Sequence, residues 1–299
     1  MNPFSTLLDR LPDLAKQNRS AYDQALPFKH VVFDGILPDG ALEDVLHEFE
    51  ASRRSDWMSL DEEGVSDKKS IAATHQLMGP STDQLFALFR SPQFIEAMEE
   101  LTGIKGLLAD PHMLGGGWHE TSPGGRLELH TDFSWNPRVR LYRRLNILLY
   151  LNRDWKEEYN GHLELWDAGF QRQARILPTW NRFVVCNVTG QTVHGFPEPI
   201  RCPNGMTRKT IAFWLYTADI PDAMRDDYAL RETNFIQRVG GRPVPLPNSW
   251  ARRWLPPPLY NVFNKGKVFT RVYYPREVLS HLVHWIIPPI LRNTKRLKS

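Results

Sequence analysis

The sequence predicts a β-rich α+β fold, an antiparallel sandwich or barrel preceded by helices. Short apolar runs separated by turn signals recur roughly every 10 to 20 residues through the middle of the chain. No helical pattern lies between those runs, which argues against a parallel α/β sheet. Helical spacing of apolar residues is concentrated in the first 102 positions.

The first 27 residues read as a short amphipathic helix and lead-in, and His30 to Pro38 (HVVFDGILP) as a strand and turn. In DGALEDVLHEF, Leu42, Val45, Leu46 and Phe49 have helical spacing; a second helical pair spans Thr82 to Thr102, with Leu85, Phe89, Phe94, Ile95, Met98 and Leu101 apolar. These stripes are expected to pack on the outer face of the sheet. Between the helices, SRRSDWMSLDEEGVSDKKS is polar and is expected to be a mobile loop near a site entrance. GGGWHETSPGG (Gly115 to Gly125) lacks the GK[ST] ending and following helix of a phosphate loop, so it reads as a strand with a glycine-rich turn. Strands are then predicted at LNILLYLN (Leu145 to Asn152), NGHLELWD (Asn160 to Asp167), RFVVCNV (Arg182 to Val188) and RKTIAFWLYTA (Arg208 to Ala218). His194 in TVHGFPEPI falls at a strand end or turn, before a glycine and two prolines.

The chemistry is concentrated in His130-Thr131-Asp132 and in His194, 62 positions beyond Asp132. Two imidazoles and one carboxylate are the set that holds non-haem Fe(II) on one face and leaves the other open. A strand sends alternate side chains to one face, so His130 and Asp132 point together while Thr131 points away. The third ligand must then come from a strand near in space and distant in sequence, and His194 supplies it. Arg208 follows 14 residues later at the head of a strand, where a guanidinium suits a carboxylate partner. Lys209 competes for that role; the two alternate faces, and Arg208 is favoured. The competing readings are a hydrogen-bonded structural histidine for each imidazole, an Asx-turn for Asp132, and a core tyrosine with its hydroxyl at the rim for Tyr150.

Taken in order, HTD, RRLNILLYLN with DW, NGHLELWD, NRFVV, HGFP and RKTIAFWLY resemble the prolyl-4-hydroxylase-type branch of the 2-oxoglutarate/Fe(II)-dependent oxygenases, in particular its bacterial members. The resemblance covers about residues 28–220 and is densest from Gly115 to Tyr216. It implies a double-stranded β-helix (jelly-roll) core at about 110–218, Fe(II) held by His130, Asp132 and His194, and 2-oxoglutarate held by Arg208. It also implies that Tyr150 bonds the distal carboxylate of 2-oxoglutarate; Asn146, four residues earlier, is placed in the same pocket. His119, Trp118 and Glu120 are candidate substrate-binding residues. One departure is Asn160-Gly161 where relatives often read Gly-Gly before the LELW strand; asparagine tolerates positive φ better than most residues. Relatives that halogenate replace the carboxylate of the triad, so Asp132 implies hydroxylation, with O₂ consumed and succinate and CO₂ formed. No catalytic residue is expected beyond the metal centre.

Composition agrees with a soluble enzyme: 41% hydrophobic, 24% charged, net +3. Cys186 and Cys202 are too few for a disulfide framework, no apolar run approaches the ~20 residues of a membrane span, and LLDRLPDLAKQ is interrupted by charge, so a cytoplasmic location is expected. Residues 221–299 form a proline-rich extension. From Lys265 onward eight Lys/Arg face one acidic residue, and Leu279, Leu282, Val283 and Ile286 have helical spacing beside Trp285. Two readings stand: a packed accessory helix with a solvated basic tail, or a peripheral contact with anionic lipid on the cytoplasmic face of a membrane. No nucleic-acid partner is expected. The substrate is read as a small molecule or cell-envelope compound (sugar, amino acid, lipid-linked glycan); the alternatives are a protein's prolyl residue and a non-catalytic metal-binding relative. Arg138, Arg140, Arg143 and Arg144 cluster after the HTD: if some face the cavity an anionic substrate follows, and if they are a solvated loop, the favoured reading, nothing does.

Overall fold

The structure is a computed structural model that describes residues 3–61, 65–73, 75–110, 112–228, 233–236, 238–239 and 242–243. The helix expected around Leu279 to Ile286 and the basic tail lie outside the described residues.

In chain order the helices and strands are α1 (Ser5–Gln24), β1 (His30–Asp34), α2 (Asp39–Ala51), β2 (Met58–Ser59), β3 (Ser66–Ala72), α3 (Pro80–Phe89), α4 (Pro92–Thr102), β4 (Leu108–Ala109), β5 (Gly117–Thr131), β6 (Trp135–Asn136), β7 (Leu141–Tyr150), β8 (Leu163–Trp166), β9 (Gln173–Ile176), β10 (Arg182–Asn187), β11 (Val193–Phe196), β12 (Arg208–Thr217) and β13 (Asn234–Phe235). These thirteen strands form one antiparallel sheet curled on itself, in the main order β1-β10-β7-β12-β5-β11-β8-β9, while Arg238–Val239 and Arg242–Pro243 pair only with each other. This is the expected double-stranded β-helix. β5 belongs to both layers: residues 117–121 lie between β12 and β3, and its C-terminal end pairs with β11.

Strand alternation divides the sheet into two faces. Ile147, Leu149, Phe183, Val185, Ile211 and Phe213 face the helices and enter one core with residues of α1 to α4. The Phe89 ring lies 5.2–5.8 Å from those of Phe94, Phe183 and Phe213, joining both short helices to two strands. Each such ring removed from water contributes roughly 1.5–3 kcal/mol, so the helices hold the sheet's curvature from outside. The opposite face carries the polar residues: Tyr150 lies opposite Thr210, Thr210 opposite His119, and His119 opposite Ile71, a row running inside the curl. Gly117, at φ +95°, is where β3 comes closest; a Cβ there would stand 2.2 Å from the Ala72 carbonyl oxygen.

The polar segment 52–70 is not a loop. Its described part contributes β2 and β3, and β3 pairs with the first part of β5. An inward lysine in β3 breaks the apolar/polar alternation by which a strand is recognised. After β12 the chain stays on the same body: Tyr228 is buried, and Asn234 and Phe235 pair with Thr131 and His130.

Candidate active site

His130 and His194 lie directly opposite one another on β5 and β11, their rings 4.4 Å apart. Asp132 follows two residues after His130, and one donor atom from each of the three side chains falls within 4.8 Å of the others. All three line a cavity of about 160 Å³ inside the curl. A β-bulge in β5 makes this convergence: His194 pairs with His130 and Phe196 with Leu127, so β5 carries one more residue than β11 over that interval. Gly195 sits at the bulge, where a Cβ would be 2.8 Å from the Glu128 carbonyl oxygen.

The hydrogen bonds leave the right atoms free. His130 Nδ1–H donates to the Glu128 carbonyl at 2.8 Å, which leaves the Nε2 lone pair toward Asp132. Burial, followed by the neighbouring His194, pushes the His130 pKa down to about 3, and burial also lowers His194, so both imidazoles are neutral donors at neutral pH. Burial alone would raise the Asp132 carboxyl, but the Arg143 charge and the two imidazoles hold it well below the usual range. Its Oδ2 receives Asn146 Nδ2 at 2.7 Å and Arg143 Nη2 at 3.0 Å. Oδ1, 3.7 Å from His130 Nε2, accepts no hydrogen bond among the described residues. Two neutral imidazole nitrogens and one ionised carboxylate oxygen, buried and convergent, fit a divalent non-haem metal.

Arg208 occupies the other end of the cavity. Its Nε donates to the Gly161 carbonyl at 2.8 Å, Nη1 to Thr210 Oγ1 at 3.1 Å and Nη2 to Tyr150 Oη at 3.3 Å. The guanidinium also lies over the Phe196 ring at 4.2 Å. Two of its five N–H donors remain uncommitted, and no carboxylate among the described residues pairs with this 5% exposed cation. Lys209 turns to the other face and pairs with Glu50 at 3.4 Å. Gly161, at φ +74°, keeps its surroundings open for Arg208, since a Cβ there would be 3.2 Å from Arg208 Cδ. Asn160 before it does adopt positive φ, 57° with ψ −150°.

The remaining candidates divide. His119 lines the cavity, with Nε2–H donating to the Gly115 carbonyl at 3.0 Å. Trp118 and Glu120 do not, because they alternate with His119 on β5. Trp118 is fully buried in the outer core, 5.2 Å from Phe49 and 5.9 Å from Trp57, and Glu120 pairs with Arg54 and accepts from Thr207 Oγ1. Asn146 lines the pocket, but its hydrogen bonds are to Asp132 and Arg143.

Three cavity features escaped the sequence. Arg143 is 2% exposed, packs 3.7 Å from the Trp214 ring centroid and pairs with Asp132. Alternation from Tyr150, Leu148 and Asn146 would put residue 144 in the cavity; a bulge between Leu215 and Tyr216 of β12 and their β7 partners puts Arg143 there. Arg144 is turned away, bonding Thr217 and Tyr228, while Arg138 and Arg140 are exposed. The solvated-loop reading thus fails for two of the four arginines, and the RR pair inside an otherwise apolar strand was its only signal. Lys69 of β3, 8% exposed, is the second feature. The third is Phe235, 5.2 Å from the His130 ring, with Thr233 beside it in the cavity wall.

Residues 116–216 match the sequence profile described as the 2OG-Fe(II) oxygenase superfamily. No curated protein matches the sequence. Among solved structures, a prolyl 4-hydroxylase from Phytophthora capsici is 18% identical at TM-score 0.51, covering 74% of this chain and 72% of that one. A prolyl-4-hydroxylase from Pseudomonas putida is 17% identical at TM-score 0.49, with 69% and 98% covered. HygX from Streptomyces hygroscopicus, solved with nickel and 2-oxoglutarate, is 13% identical at TM-score 0.48, with 69% and 89% covered. The first of these shares the fold described above. No helix among the described residues is long and apolar enough to cross a membrane.

Proposed function

We propose that this chain, whose residues 116–216 match the 2OG-Fe(II) oxygenase superfamily profile, is such an oxygenase and hydroxylates an unactivated C–H of a small molecule or cell-envelope compound. His130, Asp132 and His194 hold Fe(II), and Arg208 holds the distal carboxylate of 2-oxoglutarate. When bound, the metal supplies the oxidation: 2-oxoglutarate, O₂ and R–H become succinate, CO₂ and R–OH.

The protein's own contribution is positioning and exclusion of water. Glu128 fixes the tautomer of His130, and Asn146 and Arg143 fix the Asp132 carboxylate. Tyr150, Thr210 and the Gly161 carbonyl hold the Arg208 fork in one plane for a bidentate pair. No general base is required, and none is assigned. The single observation that carries the reading is Arg208: a buried guanidinium with no carboxylate partner among the described residues, sharing one cavity with the His-Asp-His cluster. A small substrate is favoured over a protein's prolyl residue because Phe235, Thr233 and Leu60 add walls to the cavity and charged groups converge inside it.

The test is Fe(II)-dependent binding of 2-oxoglutarate and succinate release by the purified chain, beside His130→Ala. Iron-dependent succinate that vanishes in His130→Ala is expected. 2-Oxoglutarate that fails to bind the iron-loaded protein, or binds His130→Ala equally well, overturns the proposal.

A further inference from the structure

Lys69 faces the cavity by strand alternation with Ile71. Just before it the register of β3 on β5 shifts: two residues of β3, Asp67 to Lys69, span five of β5, Arg126 to Thr121, and Lys68 adopts φ 52° there. Lys68 is thereby left outside, donating to the Pro123 carbonyl at 3.0 Å, and Lys69 goes in. Lys69 and Arg208 lie on opposite sides of the same residue, Thr121, one on each neighbouring strand. Their main chains are two strand spacings, about 10 Å, apart.

The charges around this lysine do not cancel. Three cations (Lys69, Arg143, Arg208) and one carboxylate (Asp132) line the cavity; His130 and His194, assigned to the metal, bind it as neutral imidazoles, and burial lowers the His119 pKa well below its usual value. Arg143 is matched by Asp132. A dipositive metal and a doubly negative co-substrate cancel each other, so an excess of two positive charges persists when both are bound. Placing the distal carboxylate against Arg208 redistributes this excess without reducing it, and Lys69 carries one of the two charges. Lys69 has no carboxylate partner and no side-chain hydrogen bond among the described residues, and an ammonium is not buried at 8% exposure without something to compensate it. Burial, then the Arg208 charge, lowers its pKa to about 8, still protonated at neutral pH.

We propose that Lys69 is a substrate-binding residue, and that the molecule oxidised here carries an anionic group, carboxylate or phosphate, that docks on its ammonium. This rests on the oxygenase reading and narrows it: neutral sugars and unmodified prolyl residues do not supply the charge the cavity lacks. Ile71, two residues on and on the same face, supplies an apolar wall beside the anion, and His119, opposite Ile71, lies within the same row.

The experiment follows Lys69 itself, in the full chain with Zn(II) as a redox-silent metal and with ¹³C,¹⁵N-labelled lysine and histidine. The Lys69 resonance is assigned by its loss in Lys69→Arg. 2-Oxoglutarate is added to saturation, then acetate, inorganic phosphate or neutral acetamide is titrated separately. The expected result is a saturable shift of Lys69 with acetate or phosphate after 2-oxoglutarate is in place, and none with acetamide; the anion that acts identifies the class. In Lys69→Met the same anions should require at least a 10-fold higher concentration to perturb His119. A Lys69 resonance that moves with 2-oxoglutarate and with nothing afterwards makes it a co-substrate ligand and overturns the proposal, as does one that no anion moves. If 2-oxoglutarate perturbs no cavity resonance, it is the oxygenase reading that fails.

Discussion

Arg143 Nη2 lies 3.0 Å from Asp132 Oδ2, the oxygen that also receives Asn146 Nδ2 at 2.7 Å. One side of the carboxylate is thus saturated by the protein and the other left for a metal. Asn146 also accepts from Arg143 Nε at 2.8 Å, so the three side chains form one network whose purpose is orientation.

Asn146→Leu tests that orientation. It removes the donor to Oδ2 while keeping similar volume, and partners of this kind contribute roughly 10- to 100-fold to metal affinity. Fe(II) affinity measured by chelator competition should fall within that range; an unchanged value would show that Arg143 alone fixes the carboxylate.

Arg208→Met should leave metal binding nearly intact and weaken 2-oxoglutarate. Loss of a charge-assisted pair in a buried site costs about 2–3 kcal/mol, or roughly 30- to 150-fold in Kd. Calorimetric titration of the metal-loaded variant checks this, and Lys209→Met, on the other face, should not reproduce it.

Gly195→Ala should separate the two imidazoles. The new Cβ would meet main-chain oxygens of Glu128 and Leu127 at 2.8 and 2.9 Å, and neither can rotate away. β11 must then shift from β5, at a cost of about 1–3 kcal/mol. Denaturant unfolding should report the loss, and metal affinity should fall with it because His194 moves relative to His130.

Lys69→Met should stabilise the metal-free protein by about 1–3 kcal/mol, since an apolar side chain replaces a buried unpaired charge. The sign with pH follows from a folded pKa of about 8 against 10.5 for a free lysine. Below pH 8 both states hold the proton and the wild type carries the full penalty. As pH rises from 8 toward 10.5 the folded state releases its proton first, the unfolded state binds more, and wild-type stability recovers. The difference between variant and wild type should therefore shrink over that window. Arg208, Arg143, Asp132, Tyr150 and the imidazoles of His119, His130 and His194 are the charged or titratable groups lining the cavity with Lys69, and none is changed. A difference constant with pH would show that Lys69 is not buried as an ammonium.

The sequence by itself determined the strands that carry the cluster, the pairing of His130 with Asp132 by alternation, and the resemblance to one superfamily. Those follow from periodicity and from short motifs local in the chain. It also separated Arg208 from Lys209, because a strand can send only one of two neighbours inward. Tertiary structure alone decided the rest of the lining. Alternation fails wherever a strand carries extra residues, and it does so three times here: between Thr121 and Arg126 and between Leu127 and His130 in β5, and between Arg143 and Leu145 in β7. The last of these exchanges the inward and outward sets beyond it, which put Arg143 inside; Lys69 went unread because its polar segment carries no strand pattern. Trp118 and Glu120 fell outside for the simpler reason that His119, between them, points in. Phe235 reached the His-Asp-His cluster by pairing with His130 from more than 100 residues away, and no local pattern records a contact of that kind. Bulges and long-range pairings are set by how layers close on one another, and that information exists only once the sheet has curled.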